Sequence, residues 1–500
     1  MQLEFQFSTP LFLCTIIPPL LILILTRLRN SHVSNPTKLP TSYPIFGSIF
    51  IILKNKDRRV QWISEIITST PNLTFTLHRP FGYRQIFTAN AANVQHMLKS
   101  HFHNYHKGDT FRTTLQDFLG DGIFNADGEN WKFQRQVSSH QFNTKSLRKF
   151  VEHVVDKELS DRLIPILKSA AANKTVLDFQ DILQRFTFDN ICKIAFGYDP
   201  AYLLPSLPEA KFAVVFDYAL KLISERFNSN IPFIWKIKRA LDIGSERDLK
   251  ISVKEVREFA KQIIREKKQE SPIESVDLLS RFLTGGHSDE DFVTDIVISF
   301  ILAGRDTTSA ALTWFFWLIY NHPEIENEII KEIKESTSSE PVYDEVKNMV
   351  YTQASLSESM RLYPPVPLST KSAVNDDVLP DGTVVRKGTR ISYHPYAMGR
   401  VEGVWGADWA EFRPGRWLER AEKWSFVGRD PFTYPVFQAG PRVCLGKEMA
   451  YLQMKRVVAG VVRQFRVVPV EESLEPVYVS DFTSKMKGGF KVMIEERIDA

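Results

Sequence analysis

Apolar residues are laid out along this chain in three patterns. From Leu11 to Leu28, LFLCTIIPPLLILILTRL, the positions are almost all apolar, which matches the length that crosses a bilayer's hydrocarbon core. From about Asp291 to His322 a second stretch, containing FILAGRDTTSAALTWFFWLIYNHP, is apolar on every side. It predicts either a buried helix or a second membrane span, stopped by Pro323. After Gly446 the pattern becomes periodic, with Ala450, Met454, Val457 and Val461 on one face of a predicted helix. Short β-branched and aromatic runs, LTFTLH (73–78) and RQIFTA (84–89), flank a turn at Phe81-Gly82 and predict a hairpin. Strand-like pieces return at Val384 to Tyr393 and Lys491 to Ile494, and long helical stretches broken at Pro205, Pro232, Pro272 and Pro323 lie between. The predicted class is mainly α with small β-sheets (α+β), the strands gathered toward the two ends.

Composition sharpens this outline. A chain of 500 residues, 43% hydrophobic, without an internal repeat or low-complexity linker, predicts one large domain behind an N-terminal appendage. The net charge of +4 comes from scattered residues and calls for no nucleic-acid partner. Cys14, Cys192 and Cys444 match neither a disulfide framework nor a zinc motif. The first apolar run has no basic region before it and no small-residue cleavage site after it, while Arg27 and Arg29 follow directly. It therefore reads as an uncleaved anchor rather than a signal peptide, with the remaining chain on the cytosolic side. Pro36, Pro40 and Pro44 then predict a stiff, extended hinge. The expected divisions are 1–29 for the anchor, 30–47 for the hinge and 48–500 for the main domain.

Four short motifs carry the chemistry. In FQAGPRVCLG, Cys444 precedes a predicted helix whose N-terminal dipole favours a thiolate, and Gly440 and Gly446 leave space for something flat and large. A buried structural thiol and an axial ligand of haem iron are both open readings. In the second apolar stretch, Arg305 and Asp306 would each cost about 2.5 to 3.5 kcal/mol at a membrane centre, which favours a buried helix. A buried acid followed by Thr307 and Thr308 suits proton delivery, and Gly304 would let a ligand lie against the helix. Glu358 and Arg361 form an i, i+3 pair, commonplace alone, that gains weight from the downstream LYPPVP and from EFRPGRW with Arg416. Trp131 and Arg135 place two donors one helical turn apart. They would hold a carboxylate, or be a core tryptophan beside a surface arginine.

In this order, W-x-x-x-R, A-G-x-D-T-T, E-x-x-R, F-x-P-x-R-W and F-x-x-G-x-R-x-C-x-G resemble the motifs of a cytochrome P450 monooxygenase. The resemblance implies a cytochrome P450 fold behind an N-terminal transmembrane anchor in the endoplasmic reticulum membrane. It implies haem b, with Cys444 as the thiolate ligand of the iron and Trp131, Arg135, Lys371 and Arg442 at the propionates. Glu358, Arg361 and Arg416 match the family's structural triad, and Asp306 and Thr307 its proton relay to dioxygen. The stretches FHNYHKGDTF, GIFNADGENWKFQR, FILAGRDTTSAALTWFFWL and YPVFQAGPRVCLGKEMA resemble the plant fatty-acid ω-hydroxylase branch. That branch implies a fatty-acid substrate and electrons from an NADPH-cytochrome P450 reductase. Ala303 stands where a related group carries a haem-esterifying glutamate, so the haem is expected to be non-covalent.

The same branch includes enzymes that oxidise jasmonoyl-amino acid conjugates. P450-like enzymes that rearrange hydroperoxides without a reductase tend to lose the distal acid and alcohol, against which Asp306-Thr307-Thr308 argues. By family position Phe111, Phe300, Ala303, Val366, Leu368 and Phe482 are pocket candidates, and Lys107 or Arg112 would meet the substrate carboxylate. Lys132, Arg135, Lys145, Arg148, Lys149, Lys447, Lys455 and Arg456 form an expected basic face for an acidic reductase, or an ordinary solvated surface.

Overall fold

The two strand-like runs near the start pair as expected. β1 (Thr74–His78) and β2 (Arg84–Thr88) are antiparallel, with Phe75 opposite Phe87 and their rings 5.5 Å apart. The computed structural model describes residues 39–229, 231–269, 277–284, 289–335, 342–420, 423–471 and 475–497. The expected anchor at 1–29 and Pro272 lie outside the described residues. The described end of the expected hinge is not extended: Tyr43 and Gly47 exchange backbone hydrogen bonds of 2.9 and 2.8 Å, and Ser48 N–H donates to His78 O at 2.8 Å. This turn is held against the end of β1. Gly47 has φ 56°, and a Cβ there would lie 2.5 Å from the Arg79 backbone.

β3 (Tyr105–His106), β4 (Ser369–Ala373) and β5 (Arg390–Tyr393) complete a five-stranded sheet in the order β1-β2-β5-β4-β3. β2 and β5 run parallel, with Gln85 opposite Arg390, whereas β4 is antiparallel to β5. The predicted late strands therefore divide between this sheet and a smaller one in which Phe465–Pro469 pairs with Lys491–Glu496. The latter also pairs with Leu177–Asp178, so strand structure is not confined to the two ends of the chain.

The helices that position the site are α1 (Arg59–Thr68), α2 (Asp109–Leu119), α3 (Gly128–Ser139), α4 (Phe179–Phe196), α5 (Lys211–Asn228), α6 (Ser245–Gln269), α7 (Glu290–Asn321), α8 (Val350–Leu362) and α9 (Lys447–Gln464). A last hairpin joins β6 (Tyr478–Ser480) to β7 (Ser484–Met486). α7 is the apolar helix that the sequence predicts, capped by the Asp289 side chain and ended before Pro323. It packs against α4, α6, α8 and α9, and Val297, Ile301, Leu312, Trp314 and Phe315 are fully buried. Burying a side chain of this size stabilises the fold by roughly 1.5 to 3 kcal/mol. α7 is thus the axis of the core. Among the described residues no helix is long and apolar enough to cross a membrane.

Gly304 on α7 does not have its expected use. A Cβ there would fall 2.5 Å from Ile191 Cγ1 on α4. The missing side chain lets these two helices approach, helped by Thr187 Oγ1, which donates to Arg305 O at 2.8 Å.

Candidate active site

Cys444 lies in the loop between the short turn Gly440–Arg442 and α9, exposed on one side. Its N–H donates to Phe437 O at 2.8 Å. Gly440, at φ 63°, lets the loop pass so near Leu98 that a Cβ would lie 1.9 Å from Leu98 O. Gly446 is different: a Cβ there would meet Phe142 at 3.7 Å and Cys444 Sγ at 3.9 Å, ordinary contacts. The expected lowering of the thiol pKa by the helix terminus does not prevail. Surrounding protein atoms push the thiol up, against the Gly446 N–H, Arg135 and Lys447, which pull it down.

Beside the cysteine loop the structure gathers positive charge. Arg442 Nη2 donates to Asp127 Oδ1 at 2.6 Å and to Ala126 O at 2.9 Å, and its guanidinium lies 4.4 Å from the Trp131 ring centroid. Arg135 lies 5.9 Å from the same ring. Lys371 is 2% exposed, and burial, with Lys107 and Arg442 adding repulsion, holds its ammonium well below the lysine range. Burial brings Lys107 down to about 7, with Arg442 pushing the same way and Asp127 opposing. Among the described residues Asp127 is the one carboxylate that counters this group, and its role was not visible in the sequence. A cluster with so few anions is suited to a bound dianion.

On α7 the residues Phe300, Ala303 and Thr307 share one face, and Ala303 and Thr307 are only half-buried in an otherwise enclosed helix. Thr307 Oγ1 donates to Ala303 O at 2.7 Å. Asp306 is 2% exposed, with Oδ1 3.1 Å from Arg305 Nη1. Thr483, in the β6–β7 turn, donates from Oγ1 to Asp306 Oδ2 at 3.5 Å. Arg305 Nη1 also donates to Asp217 Oδ1 on α5 at 2.8 Å, and Lys485 Nζ is 3.2 Å from the same oxygen. Burial pushes the Asp306 carboxyl up while Arg305 pulls against it. Asp217 falls below the carboxylate range because Arg305 and Lys485 outweigh burial. Of the two acids sharing Arg305, Asp306 is the one that burial disposes to hold a proton.

Glu358 and Arg361 on α8 are 0% exposed and meet through two 2.8 Å hydrogen bonds, Nε to Oε2 and Nη2 to Oε1. Arg416 Nε donates to Glu358 Oε1 at 3.1 Å, so the predicted three residues do converge. Trp417 Nε1 at 2.9 Å and the Arg413 N–H at 3.1 Å complete the carboxylate's donors. Arg361 spends its remaining donors on Gly399 O, Trp409 O and Glu411 O.

Phe111 on α2 and Phe482 in the β6–β7 turn are joined by Phe227 at the end of α5, a residue the sequence did not single out. The Phe227 centroid lies 5.3 Å from that of Phe111 and 6.4 Å from that of Phe482, both nearly edge-on. Val366 and Leu368 are half-buried on the segment before β4, which is tied to the same hairpin by Ser484 N–H to Pro365 O at 2.8 Å and Tyr478 Oη to Pro364 O at 2.6 Å. Each of the two carboxylate candidates, Lys107 and Arg112, already has a neighbour. Lys107 Nζ lies 4.5 Å from the Phe111 ring centroid within reach of Asp127, and Arg112 pairs with Asp121 at 3.1 Å.

The expected basic face is thinner than the sequence suggests. Lys455 is 2% exposed and donates to Lys347 O, because α9 buries that side against its neighbours. Arg148 is engaged by Asp344 and Arg456 by Asp156. Lys132, Lys145, Lys149 and Lys447 are exposed.

Comparison with known proteins agrees with this geometry. A family profile described as Cytochrome P450 matches residues 38–489. Cytochrome P450 94A2 of Vicia sativa is 66% identical over 472 residues, covering 92% of each chain. Cytochrome P450 94A1 of the same plant is 61% identical, over 93% of this chain and 92% of its own. Cytochrome P450 94B1 of Arabidopsis thaliana is 44% identical over 94% of both. With its cysteine loop, buried acid helix and Glu358–Arg361–Arg416 knot inside the matched span, the chain belongs to the cytochrome P450 family.

Proposed function

We propose that this monooxygenase hydroxylates the terminal carbon of fatty acids, using dioxygen and electrons passed from NADPH by a reductase. Members of the family use haem with cysteine-thiolate ligation, and the bound group supplies the activation of dioxygen. The residues fit it: Cys444 is the exposed cysteine among the described residues, while Arg135, Lys371 and Arg442 offer the cations, and Trp131 an indole N–H, that two propionates need. Cys444 is the iron ligand in this reading. Asp306 would hold a proton in a buried position, and the Thr307 hydroxyl, on the half-buried face of α7, would be the alcohol that hands protons on to bound dioxygen. Residues 1–29 anchor the enzyme in the endoplasmic reticulum membrane, and the exposed Lys132, Lys145, Lys149 and Lys447 steer the reductase.

The observation that carries the terminal selectivity is the junction at Phe482 and Thr483. One residue closes the aromatic wall with Phe227 and Phe111, and its neighbour touches Asp306. The row of aromatic contacts therefore ends beside Asp306. A terminal methyl C–H is stronger than the adjacent methylene C–H, so the end of the chain must be chosen by geometry. A hundredfold preference needs only about 2.7 kcal/mol between barriers, within reach of a few packed rings.

The test is product regiochemistry with a medium-chain fatty acid and reductase. The unmodified enzyme is expected to give mainly the ω-alcohol, and Phe482→Ala to shift product toward in-chain alcohols while turnover continues. Mainly in-chain hydroxylation or epoxidation by the unmodified enzyme would overturn the reading.

A further inference from the structure

Three arginines meet where α1, the end of β1 and the start of β5 approach the end of α5. Arg59 opens α1, and its Nη1 donates to Asn228 Oδ1, beside Phe227. Arg79 directly follows β1, is 7% exposed, and donates from Nε to Gln85 Oε1 at 3.0 Å. Gln85 lies opposite Arg390 in the parallel β2–β5 register, and Gln85 Nε2 donates to Ser392 Oγ at 3.0 Å. The Arg390 guanidinium stands 5.6 Å from the Phe227 ring centroid.

Arg79 is buried and Arg59 and Arg390 are half-buried, and among the described residues none of the three makes an ion pair with a carboxylate, whereas the buried Arg226, Arg305 and Arg361 each have one. Their mutual proximity shows in their electrostatics. Burial and repulsion by Arg59 and Arg390 hold Arg79 well below the arginine range, and burial and Arg390 bring Arg59 to about 10. Burial alone brings Arg390 to about 10. Three guanidiniums held together without an anion form a site with a missing charge, and planar N–H forks match a carboxylate in geometry as well as sign.

We propose that Arg59, Arg79 and Arg390 bind the carboxylate of a chain-like acid substrate beside Phe227, the ring that joins Phe111 to Phe482. This rests on the fatty-acid reading above and adds to it a fixed point for the polar end. The aromatic wall alone cannot tell how far along the chain it is gripping. An ionic contact for the polar end and aromatic packing along the chain together would measure length, so oxidation at the terminus would be confined to chains that satisfy both.

The experiment uses the full-length haem-loaded enzyme and its Arg390→Gln and Arg59→Gln variants, with Arg390→Lys as the conservative control. Each is titrated with a saturated medium-chain fatty acid and its methyl ester, following the substrate-induced Soret shift and, independently, the heat of binding. The unmodified enzyme should prefer the acid, and each glutamine variant should bind the acid roughly tenfold more weakly while binding the ester as before. Arg390→Lys should recover part of the preference, and an unchanged carbon monoxide spectrum in every variant shows an intact haem site. Equal binding of acid and ester by the unmodified enzyme, or a preference that survives both glutamine substitutions, overturns the proposal. So does loss of affinity for anionic phospholipid vesicles with acid binding unchanged, since the cluster would then face lipid headgroups. A wild-type acid preference that the variants abolish, with no ω-alcohol formed, would sink the ω-hydroxylase reading and leave the carboxylate site standing.

Discussion

The Glu358 knot and the cluster around Lys371 are both buried assemblies of charge, yet they are built on opposite principles. In the knot the carboxylate receives donors from Arg361, Arg416, Trp417 and the Arg413 backbone, and Arg361 completes its own set on three carbonyls. Asp408 Oδ2, 3.0 Å from Arg416 Nη2, supplies the second carboxylate that balances the two arginines. Around Lys371 the cations Lys107 and Arg442 face Asp127 and one another, and burial strips them of water without replacing it by anions. A charge assembly closed on itself holds the chain together, whereas one left open is a receptacle. The Arg59–Arg79–Arg390 group is of the second kind.

The open cluster lies beside the Cys444 loop, and the sharpest way to break its side of the comparison is to remove the sulfur. Cys444→Ser barely changes volume, so the reduced carbon monoxide complex should lose its thiolate-type red-shifted Soret band altogether. Retention of the band would exclude Cys444 as ligand. In the closed assembly, Glu358→Ala strands the fully buried Arg361, at a cost of about 3 to 5 kcal/mol. Urea or thermal unfolding should show it, and a variant as stable as the parent would refute the closed-knot account.

Lys371→Met should act with the opposite sign. Without haem the substitution relieves repulsion and desolvation, so that chain should unfold no earlier than its parent. With haem it should lose the group faster to a haem acceptor. Because the folded-state pKa of Lys371 lies below its ordinary 10.5, the unfolded haem-free chain binds the extra proton between the two values. Stability in that window should rise with pH, and Lys371→Met should flatten the rise in equilibrium unfolding. A haem-free variant clearly less stable than its parent would place Lys371 with the knot instead.

Local signals were the part of the molecule that the sequence displayed. The apolar run of α7, the β1–β2 hairpin and the knot residues were readable because periodicity and short motifs encode them directly. Gly304 was misjudged because a motif shows which residue lacks a side chain, not which neighbour fills the room; Ile191 comes from another helix. Lys455 was taken for surface because charge alone does not reveal the side of α9 that its neighbours cover. Asp127 and Phe227 gain their meaning only through partners far along the chain, Arg442 and Phe482. The arginine group was invisible for the same reason, since the β2–β5 register brings it together.

That register also constrains how the protein is made. Gln85 and Ser392, bonded across β2 and β5, are 307 positions apart. A ribosome emits β1 and β2 long before it reaches β5, and until then one edge of β2 has no partner. An exposed strand edge is a template for pairing with another chain, so a nascent or truncated product ending before Tyr393 is prone to aggregate. The hairpin can form early, but the sheet can close only after most of the chain has been synthesised. Chaperone dependence during translation follows from the topology.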